Sequence, residues 1–319
     1  MVQKLPPLDA RIPKWNLENL IMRDCPVCNS HDAAAVYERP DNLIIRICRT
    51  CNTFFVSPCP SEEELHSFYE NYDENQRSGS RINTQELAAS YKDLDPFSDL
   101  RIRELSSLMS FEASRVLDVG FGRGSFLYFL KTLGAIPFGL ELDTQAIEFA
   151  KFLGIEVFQG DLADYSSETK FDLVTLMDLV EHPLNSLDII RKSSELLQSG
   201  GLLSIWTPNG DFVRLDKSLT TFRVDLEHMQ YFTPDTCLFI ASALKLRTVH
   251  LETLGFPSLK GIDKPLSEKD ALTPLIKKIG KRIPGFSMLN NFRRRLLSSK
   301  ESERNGSYHL FCIMQKPAQ

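Results

Sequence analysis

Residues 116–124 read Val-Leu-Asp-Val-Gly-Phe-Gly-Arg-Gly, an apolar run that passes directly into a glycine-dense turn. The mostly apolar residues 125–131 come next and predict a helix. A strand, a glycine turn and a helix in this order form the nucleotide-cradling crossover of doubly wound α/β folds, because glycine lets the backbone turn sharply and lets a ligand approach it. The stretch therefore predicts a Rossmann-like parallel sheet with a cofactor bound at the turn.

The spacing of the glycines narrows the choice of cofactor. Gly120, Gly122 and Gly124 alternate, and Ser125 stands where a dinucleotide-binding loop has its third glycine. Asp118 lies two residues before the first glycine. The pattern D-x-G-x-G-x-G resembles the first motif of the class I S-adenosylmethionine (SAM) methyltransferases. This resemblance implies that the loop holds the amino-acid end of SAM and that the acid helps to bind its ammonium group.

Two further acids follow predicted strands. Residues 136–143 form an apolar strand that ends in Glu141, close to the separation of roughly 20 residues at which a Rossmann fold places its ribose-binding acid. Asp143 predicts the N-cap of the next helix. Residues 155–162 predict a third strand that ends near Asp161, where the resemblance implies a contact with the adenine amino group. The predicted cofactor-binding residues are Asp118, Gly120, Gly122, Gly124, Glu141, Leu142, Asp161, Leu162 and Asp178.

A fourth predicted strand leads into Asp178, Glu181 and His182. The segment resembles the F-D-x-V and D-x-x-E-H elements of the same family, and a Gly-Gly turn before a strand at 201–207 resembles the element that follows them. The matches run in order across about residues 112–258. The D-x-x-E-H group also resembles the site where some O-methyltransferases of quinone biosynthesis hold a divalent metal. In metal-independent members the Glu-His pair lines the pocket or caps a helix, and we favour the pocket role here.

The loop after the fifth predicted strand carries the predicted catalytic pair. Residues 225–234 resemble the E-H-x-x-Y-F-T-P element of the family, and Thr233 or Asp235 predicts the cap of the following helix. In the sugar C-methyltransferases an acid and a histidine at this place lie near the acceptor, which maps here onto Glu227 and His228. A carboxylate beside an imidazole suits a general base near neutral pH. The alternative is that the pair only fixes the loop. The predicted catalytic residues are Glu227, His228 and His182.

Four of the seven cysteines are paired in the sequence. Cys25 and Cys28 form one C-x2-C, Cys48 and Cys51 form another, and the spacing between the pairs falls in the range of zinc ribbons. Two disulfides or four free thiols are the alternatives, and a cytosolic location disfavours the disulfides. Four thiolates would complete a closed tetrahedron, so the predicted zinc is structural. The other cysteines are predicted to be core thiols: Cys59, Cys237 and Cys312.

The run C-x-x-C-N-T-F-F-V-S-P-x-P-S-x-E-E-L-x-x-F-Y extends the resemblance. It is similar to the N-terminal zinc-binding segment of some bacterial SAM methyltransferases, including deoxysugar C-methyltransferases, which are longer and carry a larger C-terminal domain. Ser61 and Glu64 predict a capping box for the helix that follows. The predicted organisation is a zinc-binding segment with its helix at 1–75, a linker or flap and a helix at 76–111, a SAM-binding Rossmann domain at 112–258, a basic amphipathic insertion at 259–304 and the last strand of the sheet at 305–319.

Two further segments lie outside these motifs. Residues 74–97 predict a linker or an active-site flap, with Tyr69, Tyr72 and Tyr91 in or beside it. Residues 277–300 are basic and interleaved with apolar side chains, which is typical of a solvated helix face. A phosphorylated acceptor, an acidic carrier or a membrane surface are the alternative partners. The basic side chains are Lys277, Lys278, Lys281, Arg282, Arg293, Arg294, Arg295 and Lys300.

The composition predicts a soluble cytoplasmic enzyme. The chain has 319 residues, of which 42% are hydrophobic and 25% charged, as in ordinary globular proteins. No apolar run approaches the roughly 18 residues that span a bilayer, and the N-terminus lacks the apolar stretch of a signal peptide. The net charge of −5 gives no bias toward nucleic acid.

The sequence thus predicts an α/β protein with a doubly wound Rossmann-like sheet of the class I methyltransferase type and a small N-terminal zinc-ribbon-like domain. The expected activity is methyl transfer from SAM to a small-molecule acceptor such as a sugar nucleotide, a natural product or a cell-surface intermediate, including phosphorylated or carrier-bound forms. The alternatives are a nicotinamide-dependent oxidoreductase, which the glycine spacing disfavours, and a non-catalytic interaction or nucleic-acid-binding module built around the zinc ribbon. The acceptor, its reacting atom and the oligomeric state stay open.

Overall fold

The structure is a computed structural model that describes residues 2–8, 11–70, 83–255 and 307–318. The predicted basic insertion at 259–304, with its eight basic side chains, lies outside the described residues, as does Tyr72. Within the described ranges no helix is both long and apolar enough to span a membrane.

The central element is a seven-stranded sheet. Its strands in chain order are β5 (Arg115–Val119), β6 (Ile136–Glu141), β7 (Glu156–Gln159), β8 (Phe171–Met177), β9 (Leu197–Pro208), β11 (Arg247–Leu254) and β12 (His309–Gln315). Their spatial order is β11-β12-β9-β8-β5-β6-β7. The pairs among β5 to β9 are parallel, whereas β12 runs antiparallel to both β9 and β11. Because the chain order reverses beside β5, the carboxyl ends of β5, β6 and β8 define one crevice.

Helices cover both faces of this sheet. One face packs on α2 (Thr84–Lys92), α3 (Leu100–Leu108), α4 (Ser125–Thr132) and α5 (Thr144–Phe152). The other face packs on α6 (Ser186–Leu196) and α7 (Pro234–Ala243). The predicted caps are present, since Asp143 accepts the N–H of Ala146 at 2.7 Å and Thr233 caps α7. The prediction of a doubly wound Rossmann-like sheet is confirmed.

A smaller, five-stranded sheet combines four strands of the N-terminal unit, defined as residues 2–70, with one strand from much later in the chain. It comprises β1 (Gln3–Lys4), β2 (Ala33–Glu38), β3 (Ile44–Cys48), β4 (Phe54–Val56) and, as its last strand, β10 (Gln230–Tyr231). Helix α1 (Glu62–Glu70) follows, and the Ser61 hydroxyl accepts the N–H of Glu64 at 3.1 Å, which is one half of the predicted capping box. The Glu64 carboxylate accepts the N–H of Asn16 at 2.7 Å. Because β10 lies far along the chain, between β9 and α7, the two sheets share a connecting segment.

The segment predicted to be a linker through residue 97 contains a helix. Helix α2 forms because Asn83 caps it by accepting the N–H of Glu86 and because Ala88 and Tyr91 bury one of its faces. Within 76–111, where the sequence predicts one helix, a second helix, α3, begins at Leu100, since Asp99 accepts the N–H of Arg101 and caps it there. The many polar side chains of residues 83–97 therefore lie on the solvent-facing side of packed secondary structure.

Candidate active site and metal centre

The glycine loop between β5 and α4 is open toward the crevice. Gly120, Gly122 and Gly124 have φ angles of 71°, 54° and 67°. This left-handed region favours glycine, because a side chain there clashes with the backbone. The N–H of Gly122 donates to Oε2 of Glu141 at 2.8 Å. Apart from its two chain neighbours, no described residue has a heavy atom within 4 Å of the point where a Cβ of Gly122 would stand. The loop thus leaves a space beside the carboxylate at the end of β6.

Asp118 lies beneath this loop and is almost fully buried. The hydroxyl of Thr175 on β8 donates to Oδ1 of Asp118 at 2.6 Å. Burial raises the pKa of Asp118 to about 7, although the hydrogen bond from Thr175 and the charge of Arg101 oppose this. A buried carboxylate of this kind gains from a cation placed beside it.

The structure adds a basic residue, Arg101, that the sequence reasoning missed. Its guanidinium bonds both oxygens of Asp99, lies over the rings of Phe126 at 5.2 Å and Trp206 at 5.5 Å, and acts electrostatically on Asp118. No local pattern indicates this position, because it depends on how α3 packs against the sheet.

The remaining predicted cofactor residues lie along the same edge. Leu142 follows Glu141 directly and is 52% exposed, while Leu162 is buried. Asp161 accepts the N–H of Ala163 at 2.7 Å and so fixes the turn after β7. Asp178 has a left-handed φ of 50° at the end of β8. Strained backbone of this kind is common at functional sites.

A buried cluster of acid and histidine side chains lies where the loop after β8 meets the loop before β10. Ligand atoms of Glu181, His182 and His228 lie within 4.8 Å of one another, and the two imidazole rings are 4.8 Å apart between centroids. The Thr207 hydroxyl donates to Oε2 of Glu181 at 2.8 Å. The structure therefore brings His182, His228 and Glu181 together. The cluster is also compatible with a divalent metal.

A tyrosine from the N-terminal unit completes this cluster. The hydroxyl of Tyr69 on α1 is 2.8 Å from Nδ1 of His182 and donates to the backbone carbonyl of Glu227 at 3.3 Å. The sequence indicated only that Tyr69 lies beside a linker. Its role depends on a contact across 113 positions of the chain, which no local pattern encodes.

Burial controls the protonation of the two histidines. It lowers the pKa of His182 to about 3, assisted by the neighbouring His228, while the charge of Glu227 acts in the opposite direction. It also lowers the pKa of His228 to about 3, assisted by the positive charge of Arg39. Burial and the charge of Asp178 raise the pKa of Glu181 well above its usual range. Both imidazoles are therefore neutral at pH 7, with a ring nitrogen able to accept a proton.

The four paired cysteines converge at one point of the N-terminal unit. Their sulfur atoms lie within 4.8 Å of one another, with Sγ–Sγ distances of 3.5 Å for Cys25 and Cys51 and 3.4 Å for Cys28 and Cys48. A disulfide needs about 2.05 Å, whereas a tetrahedron with Zn–S bonds of about 2.3 Å has S–S edges of roughly 3.8 Å. The sulfur positions therefore fit a tetrahedral ion. The three other cysteines are buried, as predicted.

Parts of this chain are similar to known methyltransferases. Residues 92–250 match the family described as "Methyltransferase domain". A ubiquinone biosynthesis O-methyltransferase of Chelativorans is 33% identical over 116 residues, which cover 34% of this chain and 45% of that protein. One from Burkholderia multivorans is 26% identical over 200 residues, covering 58% and 84% of the two chains. The structure of a SAM-dependent methyltransferase from Archaeoglobus fulgidus aligns with 20% identity and a TM-score of 0.47 over 74% of this chain and all of the other.

Residues 92–250 thus match a methyltransferase domain, and this range includes strands β5 to β9 of the Rossmann-like sheet. The chain spans about half of the length of several of the curated relatives that it matches.

Proposed function

We propose that the protein is a SAM-dependent methyltransferase (EC 2.1.1) that acts on a small-molecule acceptor. The observation that carries this proposal is the open glycine loop beside Glu141, with the acid–histidine cluster at the next strand end of the same crevice. The first group of residues suits a nucleoside-type cofactor, and the second suits proton transfer close to it.

The residues around the loop divide into groups that match the parts of SAM. Asp118 supplies a buried carboxylate for the ammonium group, and Arg101 supplies a guanidinium for the carboxylate. Glu141 offers carboxylate oxygens to the ribose hydroxyls, while Leu142 and the turn at Asp161 and Leu162 border the adenine side, with Asp178 closing the crevice from β8. Each pairing gives a polar or charged group of SAM a partner in the protein, in place of the water that it leaves.

When bound, SAM supplies an electrophilic methyl group on a sulfonium that is already a good leaving group. The protein then has to orient the acceptor and remove its proton. We assign proton removal to His228 and Glu227, with His182 held in orientation by Tyr69. The neutral state of both imidazoles leaves them able to accept a proton. We favour this role over a metal site because Oε2 of Glu181 and Nδ1 of His182 already bond to Thr207 and Tyr69.

The acceptor class that we propose is a sugar nucleotide or a natural-product or cell-surface intermediate. The resemblance of the N-terminal segment to that of the deoxysugar enzymes supports the sugar. The similarity to proteins named ubiquinone biosynthesis O-methyltransferase supports a small hydroxylated acceptor more generally. Both similarities support a small-molecule acceptor. We also propose a cytoplasmic location for the enzyme.

Replacing Glu141 by Ala is expected to weaken SAM binding by roughly 1–3 kcal/mol, because the ribose hydroxyls lose their acceptor. Isothermal calorimetry with SAM and its demethylated product measures this directly. Glu156→Ala is the matched control and should bind SAM normally. Glu156 is an exposed acid at the amino-terminal end of β7, whereas the crevice lies at the carboxyl ends of the strands. Tight NAD binding without SAM binding would instead favour an oxidoreductase.

We also propose that Cys25, Cys28, Cys48 and Cys51 hold one structural zinc ion. Elemental analysis should then give about one zinc per chain, and replacing any of the four by Ser should loosen residues 20–60 while the Rossmann domain stays folded. Cys59→Ser is the control, because Cys59 is a buried thiol of the same unit outside the cluster. Protein purified without chelator and free of zinc would contradict the proposal.

A further inference from the structure

We propose that Arg39 and Arg23 are positioning residues, through which the N-terminal unit fixes the acceptor loop, defined as residues 225–229. The N-terminal unit thereby sets the geometry of Glu227 and His228 without taking part in SAM binding. The inference depends on the proposed function only for the role that it gives the loop. The contacts that carry it are independent of that function.

Arg39 is the stronger of the two contacts. Its side chain is fully buried, and it pairs with Asp41, which is also buried and accepts the indole N–H of Trp15. Although burial lowers the pKa of Arg39, the charge of Asp41 raises it above its ordinary value, so the guanidinium stays protonated. A buried guanidinium is tolerated only where its N–H groups are satisfied.

All five N–H groups of Arg39 have a partner, and three of these partners lie far along the chain. Two donate to Asp41, one to the carbonyl of Leu226, one to the carbonyl of His228 at 2.5 Å and one to the hydroxyl of Tyr231 at 3.1 Å. Leu226 and His228 are the residues on either side of Glu227. The guanidinium therefore fixes the peptide group that precedes Glu227 and the one that follows His228.

Arg23 makes a second connection of the same kind. Its Nη1 donates to the carbonyl of Leu184 at 3.0 Å, and its Nη2 to the carbonyl of Met229 and to the side chain of Gln230. Its Nε donates to the carbonyl of Val56 on β4 at 2.9 Å. Burial lowers the pKa of Arg23 to about 10, so it too is charged at pH 7. One side chain thus ties β4 to both loops that carry the histidines.

The cysteine cluster contacts the first turn of α7, a few residues after the acceptor loop. The Thr236 hydroxyl donates to the carbonyl of Cys51 at 3.3 Å, and the amide of Asn52 donates to Asp235 at 2.7 Å. The pairing of β4 with β10 attaches the N-terminal unit to the chain between the acceptor loop and α7. A metal ion that orders the four cysteines therefore also restricts the acceptor loop. Removing the metal takes away one restraint on that loop.

Hydrogen–deuterium exchange of the zinc-loaded, full-length protein tests this inference. In Arg39→Lys the amides within residues 225–233 should exchange at least about tenfold faster than in the wild type, because lysine cannot reproduce the planar five-donor fork. The SAM dissociation constant should change by less than about twofold, since no altered contact touches the glycine loop. The ¹⁵N ring signals of His182 and His228 should shift. Arg46→Lys is the matched control, because Arg46 donates to Ser57 within the N-terminal unit.

Two further measurements keep the test decisive. If Arg39→Lys does not fold, Arg23→Lys, at a partly exposed position, should still raise exchange in residues 225–233. Removing zinc with a chelator should raise exchange there as well as in residues 25–51. Unchanged exchange of the acceptor loop in the folded variants or the metal-free protein would overturn the inference, as would equal loosening of the glycine loop. Failure of the wild type to bind SAM would instead overturn the proposed function and leave the exchange result intact.

Discussion

Gly122→Val is expected to abolish SAM binding. The side chain would project into the open space beside Glu141, where no described residue other than the two chain neighbours has an atom within 4 Å of the Cβ position. It would also impose a φ of 54° on a β-branched residue, which strains the loop by roughly 1–2 kcal/mol. Affinity should fall at least about 100-fold, which corresponds to roughly 3 kcal/mol. Calorimetry with SAM measures the loss.

Gly200→Val provides a control with the same backbone cost. Gly200 has a φ of 80° and also leaves its Cβ position open, but its N–H donates to Lys316 at the opposite edge of the sheet. This variant should lose stability to a similar extent and keep its SAM affinity. Equal loss of SAM binding in both variants would show that strain, and not occupation of the cofactor space, explains the result at Gly122.

The sheet and its crevice could be predicted because their signals are local. A buried strand followed by glycines at 120–124, or an apolar strand followed by Glu141, is visible within ten residues and in the expected order. The caps at Asp143 and Thr233 are equally local, since each depends on a side chain that bonds a backbone N–H three residues on. Helix α2 escaped prediction because its polar side chains outnumber the few that it buries.

The residues that complete the site could not be predicted, because their partners lie far along the chain. Tyr69 meets His182, and Arg39 meets the carbonyls of Leu226 and His228, only once the two sheets have packed together. The charge of Arg101 acts on Asp118 only once α3 has packed on the larger sheet. Sequence patterns report which face of an element is buried, not which side chain it will contact. The predicted histidines were available from the resemblance alone, whereas their burial and low pKa required the structure.

The burial of the histidines changes how their chemistry should depend on pH. An exposed imidazole loses its free nitrogen as pH falls below about 6.5. With their pKa values lowered to about 3, His182 and His228 stay neutral throughout the range where the protein is expected to work. Low basicity is the cost of this arrangement, and Glu227 offsets it in part by raising the pKa of His182. The cluster therefore provides a proton acceptor that stays unprotonated over this pH range but is only weakly basic.

Replacing His228 by Ala, or Glu227 by Gln, is expected to reduce methyl transfer by roughly a hundredfold or more, the usual scale for a lost general base. SAM affinity should stay nearly unchanged, because neither side chain belongs to the glycine loop. Release of demethylated cofactor, measured with an acceptor that the wild type methylates, gives the rate. His182→Ala should behave in the same way if its ring faces the acceptor.

His31→Ala is the control for these substitutions, because His31 pairs with Asp24 at 2.6 Å as an exposed carboxylate–imidazole pair. It should keep full turnover. Because both buried histidines are already neutral, wild-type turnover should show no loss from histidine protonation between pH 8 and pH 5.5, and added Mg²⁺ should leave it unchanged. If His228→Ala and Glu227→Gln both retained full turnover, the pair would only fix the loop, and the base would have to be His182 or Tyr69, whose atoms already lie 2.8 Å apart.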